Sequence, residues 1–240
     1  MKAALLVVRS GERAFPSHLL PDIEVIERQS HAIETLAAKP PEGPFDLAIF
    51  TSRSAADRFL ARDDLLAVLP GRVLAVGSVT AERFRAGLSV EVEEGGGSVG
   101  QMLRQLPRQL TGTRVLVPHG EDADPELSRE LARRGAEVVS LLLYRKVPLP
   151  YDPDLDTSIL ALSPVAFFAT SPSAARWLLD GAGDAAKARL TRIIAIVLGE
   201  ATRKALSARK VARIEVAWPP TFERVAQIAA ELGGRPPLAR

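Results

Sequence analysis

The sequence predicts an α/β fold made of two similar units, each a parallel sheet covered by helices on both faces. Three observations predict it. Short apolar runs rich in Val and Ile alternate with helical patterns from end to end, as strands buried on both faces do. A strand–turn–helix stretch recurs, in the same order, in the second half of the chain. Capping residues stand where helices must begin and end.

Taken in order, strands are expected over residues 4–8, 23–26, 47–50, 73–76, 90–92, 115–117, 138–143, 165–168, 193–197 and 214–217. A short helix over 12–20 is expected between the first two. Gly95-Gly96-Gly97-Ser98 lacks the Gly-Lys-Ser/Thr ending of a phosphate loop, so it reads as a flexible turn before a helix over 99–106. Asp124 can cap a helix that starts at Pro125 and is closed by Gly135. Ser171 followed by Pro172 is the same start signal, and its helix carries Ala174, Ala175, Trp177 and Leu178. Residues 27–36 and 144–153, the latter with Pro148, Pro150 and Pro153, read as linkers, because proline blocks helix continuation. If residues 1–30 belong with 148–240, leaving 31–147 as the other domain, the chain crosses between them twice.

The repeat is the most informative feature. Phe50-Thr51-Ser52-Arg53-Ser54-Ala55-Ala56 is echoed by Ala169-Thr170-Ser171-Pro172-Ser173-Ala174-Ala175. After each copy comes a second pair, Gly77-Ser78-Val79-Thr80 and Gly199-Glu200-Ala201-Thr202, again between a strand and a helix. Repeated order as well as repeated wording implies two related units.

Composition removes several function classes. The 240 residues are 47% hydrophobic and 25% charged, enough for a substantial core. There is no cysteine, which excludes disulfides, iron–sulfur ligation and thiol catalysis. Arg9 ends the first apolar run well short of a signal-peptide core, and no stretch approaches a membrane span, so a cytoplasmic protein that contacts no membrane is expected. Of 31 basic residues six are lysines and 25 arginines, yet the net charge is only +2 and aromatics are 5%. No basic cluster is interleaved with aromatics, which argues against nucleic acid. The arginines are either scattered over solvated helix faces or, for some, planar forks for carboxylates; Arg9 and Arg53 are candidates for the second role.

Ser52 and Ser171 sit where a strand delivers the chain into a helix. Unpaired N–H groups of a first helical turn bind anions, aided by the helix dipole, and open parallel sheets hold ligands beyond the carboxyl ends of their strands. Plain capping is the alternative for either serine. Thr51, Ser54, Thr170, Ser173, Thr80 and Thr202 offer further donors, and together the turns suggest a cleft lined from both domains. His18, His31 and His119 are too far apart for a metal-ligand pattern, and no GxGxxG fingerprint occurs, so neither metal nor cofactor is expected. Tyr144 stands at the end of the 138–143 strand, where its hydroxyl can act as a donor or weak general acid; a tyrosine packed at the domain junction is the alternative.

These turns resemble the uroporphyrinogen-III synthase family, together with Val115-Leu116-Val117-Pro118-His119-Gly120-Glu121, the stretch Val138 to Pro148 through Tyr144-Arg145-Lys146, and Pro219-Pro220-Thr221-Phe222-Glu223. The resemblance implies two flavodoxin-like three-layer domains joined by a two-strand linker, in a monomeric, cytoplasmic, cofactor-free lyase. It implies hydroxymethylbilane as substrate, a tetrapyrrole with an acetate and a propionate on each ring. The reaction implied is loss of the ring A hydroxyl, attack by the substituted carbon of ring D, and rearrangement that leaves ring D inverted. Tyr144 then assists departure of the hydroxyl, and Arg9, Thr51, Ser52, Arg53, Ser54, Thr80, Thr170, Ser171, Ser173 and Thr202 bind substrate. Two departures stand out: His119 replaces a frequent Arg, and Glu200 a frequent Pro, where an acid would repel carboxylates. The rival readings are a non-catalytic bilobal sensor of a small anion, since fold alone does not imply chemistry, and a nucleotide-sugar transferase.

Overall fold

The computed structural model describes residues 3–86, 88–162 and 164–234. The chain runs through β1 (Ala4–Arg9), β2 (Glu24–Gln29), β3 (His31–Thr35), β4 (Leu47–Phe50), α1 (Arg53–Leu60), α2 (Asp63–Leu66), β5 (Arg72–Ala75), α3 (Ser78–Arg85), β6 (Glu91–Glu94), α4 (Val99–Gln105), β7 (Arg114–Gly120), α5 (Glu126–Arg133) and β8 (Glu137–Pro148). It continues through α6 (Asp154–Leu162), β9 (Ala166–Ala169), α7 (Pro172–Gly181), α8 (Asp184–Leu190), β10 (Ile194–Val197), α9 (Glu200–Ser207), β11 (Arg213–Val216) and α10 (Phe222–Leu232). Two compact units result: Met1–Ile33 with Val147–Arg240, and Glu34–Lys146. The chain changes unit within β3 and within β8, which are neighbours in one sheet.

The first unit holds a five-stranded sheet in the order β2-β1-β9-β10-β11, parallel throughout. Alternate residues of its strands face opposite layers, as strand geometry requires. Leu6, Val8, Phe167 and Val197 pack with α6 to α9, whereas Leu5, Val7, Phe168 and Ile196 pack with α10. The second unit has the order β3-β8-β7-β4-β5-β6, with β8 to β6 parallel. Ile49, Leu74 and Val117 meet α4 and α5 on one face. On the other, Phe50 lies against Phe59 of α1 and Phe84 of α3, with ring centroids 5.3 and 4.5 Å away.

The two sheets are the same sheet entered at different points. β4, β5 and β6 correspond to β9, β10 and β11, while β7 and β8 correspond to β1 and β2. Register fixes the match residue by residue. Leu5 pairs with Ala166 as Val115 pairs with Leu47, and Ala4 pairs with Glu24 as Arg114 pairs with Glu137. Carried along the strands, this sets Arg9 opposite His119 in the comparison and Ser10 opposite Gly120.

Three local expectations change. The 12–20 stretch forms only a 3-10 turn at Ser17–Leu19. Pro16 bars the residue before it from helical backbone, and Phe15 and Leu20 are drawn into the core. The 27–36 stretch is not a bare linker: it carries the end of β2 and all of β3. Tyr144 is not at a strand end, because β8 runs on to Pro148, its polar segment tied by Arg145 to Glu34 at 2.9 Å and by Lys146 to Asp122 at 2.6 Å. Elsewhere punctuation acts as read. Gly96 and Gly97 take φ of 78° and 89°, which glycine alone adopts freely. Ser98 caps α4, and the Asp124 carboxylate accepts the Glu126 N–H at 2.9 Å.

Candidate functional site

Each unit places a hydroxyl cluster at the carboxyl edge of its sheet, where β4 or β9 hands the chain to a helix. In the second unit Ser52 is extended (φ −143°, ψ 133°) and its Oγ accepts the Ala55 N–H of α1 at 3.2 Å. That same Oγ is 2.9 Å from the hydroxyl of Tyr144. Tyr144 is 4% exposed, and the Arg58 guanidinium covers its ring at 5.4 Å, a cation–π distance. In the first unit Ser171 is likewise extended (φ −159°, ψ 164°), and its Oγ accepts the Ala174 N–H at 3.2 Å. Its hydroxyl partners are Ser173 at 2.9 Å and Ser10 at 2.6 Å, while Thr170 Oγ1 accepts the Ser10 N–H at 3.1 Å. Neither α1 nor α7 has an acid in its first turn, so both N-termini keep the full positive end of the helix dipole.

The second pair of turns is built alike. Gly77 and Gly199 precede α3 and α9 without any side-chain cap, and Thr80 and Thr202 lie one turn in, each 5% exposed. Glu200 is neutralised locally: both of its oxygens meet the Arg203 guanidinium, at 2.6 and 2.7 Å, which holds the carboxyl below its ordinary range.

The arginines are placed differently from the hydroxyls. Arg9 gives Nε to Glu27 at 2.6 Å and Nη1 to the Gly11 carbonyl at 2.5 Å. Arg53 gives Nε to Asp57 at 3.2 Å, and Asp57 also receives Arg83. His119 Nδ1 bonds the Gly120 carbonyl at 2.8 Å. It helps line a cavity of about 180 Å³ in the second unit, shared by Thr51, Val117, Asp124, Ser128 and Ser140. Thr51 follows β4 and His119 stands near the end of β7, the adjacent strands at which the chain's direction of travel across the sheet reverses, and such switch points are where open α/β sheets take ligands.

Sequence reading missed two residues of these clusters, Ser10 and Gly120. Ser10 follows β1 and Gly120 ends β7, strands outside the repeated stretch, and the permuted chain order hides their correspondence. A comparison of the ends of the Leu5–Arg9 and Val115–His119 runs would have found them. Among the described residues no group of three or more His, Asp or Glu is placed to hold a metal ion, and no helix is long and apolar enough to cross a membrane.

Two doubly wound α/β units, each with hydroxyls and helix N-termini at the carboxyl edge of its sheet, have the arrangement in which open α/β sheets take ligands and helix N-termini favour acceptor groups. The family model described as Uroporphyrinogen-III synthase HemD matches residues 9–227. The chain therefore belongs to the uroporphyrinogen-III synthase family, cyclising lyases of heme biosynthesis. Solved structures agree on the fold. A uroporphyrinogen-III synthetase from Helicobacter pylori is 18% identical with a TM-score of 0.68, covering 97% of this chain and 100% of its own. A mutant uroporphyrinogen III synthase from the extremely thermophilic bacterium Thermus thermophilus is 22% identical with a TM-score of 0.59, covering 95% and 98%. The comparison with curated proteins gave no match. Nothing found supports the sensor reading.

Proposed function

We propose that the two hydroxyl clusters hold hydroxymethylbilane while Tyr144 assists loss of its terminal hydroxyl. The observation that carries this reading is the Tyr144–Ser52 contact, a phenol and a serine 2.9 Å apart at the edge where the α1 N-terminus gathers N–H donors. The substrate's carboxylates suit such an edge. Thr51, Ser52, Arg53, Ser54 and Thr80 supply donors in one unit; Arg9, Thr170, Ser171, Ser173 and Thr202 supply them in the other. For Arg9 and Arg53 this role needs a substrate carboxylate to compete with Glu27 and Asp57, which now hold them.

In the step proposed, the ring A carbon–oxygen bond breaks as the pyrrole nitrogen pushes in its lone pair. The departing oxygen takes the Tyr144 proton and leaves as water. The substituted carbon of ring D then attacks the azafulvene, and rearrangement expels a proton that restores the phenol. Ring closure without inversion needs only the azafulvene, so the protein's main task is geometry. Orientation is worth up to roughly 7–11 kcal/mol in favourable cases, more than a weak phenolic acid supplies. The reading carries with it a cytoplasmic, monomeric protein that works without metal or cofactor, a picture with which the cysteine-free composition and scattered histidines agree.

Freshly prepared hydroxymethylbilane, with type I and type III products resolved, tests this directly. Chelator-treated protein is expected to give type III uroporphyrinogen at full rate. Formation of type I alone, or activity that returns only with an added divalent metal, would overturn it.

A further inference from the structure

We propose that Gly120 is a positioning residue for the Tyr144 hydroxyl, its missing side chain being the seat the phenol occupies. The proposal rests on the catalytic reading of Tyr144 for its effect on turnover, but the seat itself is a matter of geometry. A Cβ built on Gly120 would lie 2.5 Å from Tyr144 Cε2 and 2.7 Å from its hydroxyl oxygen, distances no carbon atom tolerates. Gly120 is not among the glycines with positive φ. Its backbone suits any residue, so the requirement for glycine here is space and not conformation.

The matched position in the first unit shows what the space is for. There Ser10 keeps its side chain and sends its own hydroxyl to the capping serine, Ser171, at 2.6 Å. In the second unit the side chain is removed, and the phenol arrives from β8 to give the capping serine, Ser52, its hydroxyl partner at 2.9 Å. Gly120 pairs with Tyr144 across the β7–β8 ladder just where the register shifts between His119 and Gly120. A register shift of this kind re-aims a side chain, and here it sets the ring over the vacant Cβ position. Both units thus give the cap serine a second hydroxyl; in one it is a short aliphatic alcohol, in the other an acidic phenol whose placement needs glycine beneath it.

The chain has two tyrosines, Tyr144 and Tyr151, so protein made with 3-fluorotyrosine gives two fluorine signals, assigned with Tyr151→Phe. Gly120→Ala is expected to shift or broaden the Tyr144 signal, leave that of Tyr151 in place, and lower kcat about 10²-fold, the lower end for general acid assistance, with KM little changed. Added to Tyr144→Phe, Gly120→Ala should then cost less than threefold in kcat. An unmoved Tyr144 signal, or an equal loss of kcat in both backgrounds, would overturn the seat. A moved signal with wild-type turnover would instead uphold the seat and overturn the catalytic reading of Tyr144. Should Gly120→Ala fail to fold, Gly120→Ser combined with Tyr144→Ala re-creates the first unit's arrangement and removes the clash. That pair is expected to fold and to protect the Ala55 amide from exchange as the native chain does; failure of the pair to fold would overturn the seat as well.

Discussion

The two units share one sheet plan and one capping geometry, yet they complete the capping serine with different chemistry. Ser171 is met by Ser10, Ser52 by Tyr144, at 2.6 and 2.9 Å. A phenol is a much stronger acid than an aliphatic alcohol, so only the first can serve as a weak general acid. The lesson is that matched turns need not have matched roles. On the proposed reading the first unit's cluster holds acceptors, and the second unit's cluster holds them and also gives up a proton.

The largest expected effect separates these roles. Tyr144→Phe keeps the ring and removes the proton, and turnover is expected to fall by about 10²–10⁴-fold with product affinity little changed. Ser10→Ala is expected to act mainly on KM. Wild-type turnover and type III selectivity in Tyr144→Phe would leave Tyr144 as a packed residue of β8 and nothing more.

A smaller effect tests what is common. Ser52→Ala and Ser171→Ala each remove an N-cap, worth about 1 kcal/mol of helix stability. Exchange at the Ala55 and Ala174 amides should therefore rise by a similar factor in the two variants. Only Ser52→Ala should also lower kcat. Equal kinetic effects from both would erase the distinction between the units.

The smallest effect concerns how each unit ties its two repeated helices together. Asp57 of α1 receives Arg83 of α3 at 2.5 Å, and Asp180 of α7 receives Arg209, just past α9, at 2.5 Å. The Arg209 guanidinium holds the Asp180 carboxyl below its ordinary range. A depressed folded-state value stabilises above the unfolded value and is lost as pH falls through the folded one. Asp180→Asn should thus lower stability slightly at neutral pH, by less than about 1 kcal/mol for a solvent-screened pair, and the gap in Tm to the native chain should close in acid. A gap that widened in acid would show that the pair does not set it.

Much of the fold was legible because strands buried on both faces write continuous apolar runs, and Ser171-Pro172 and Asp124-Pro125 write helix starts. The capping geometry of Ser52 and Ser171 was legible for the same reason. What was not legible depended on pairing across long separations. Residues 27–36 lacked an apolar run of their own, so β3 became visible only against β8. Tyr144 was seen as a strand-end residue because Arg145 and Lys146 break the apolar pattern, although their ion pairs with Glu34 and Asp122 let the strand continue. Ser10 and Gly120 were invisible because their equivalence is written in sheet register and not in chain order. Arg9 looked like an open fork; Glu27, 18 residues away on the neighbouring strand, occupies it.

Hydrogen exchange with and without uroporphyrinogen III, followed at the two repeated turns under reducing conditions, tests most directly whether both matched clusters serve one ligand. Protection is expected at residues 51–55 and at residues 170–174 together, with Tyr144→Phe leaving both intact. Protection confined to one turn, or lost from both in Tyr144→Phe, would contradict the division of roles between the units.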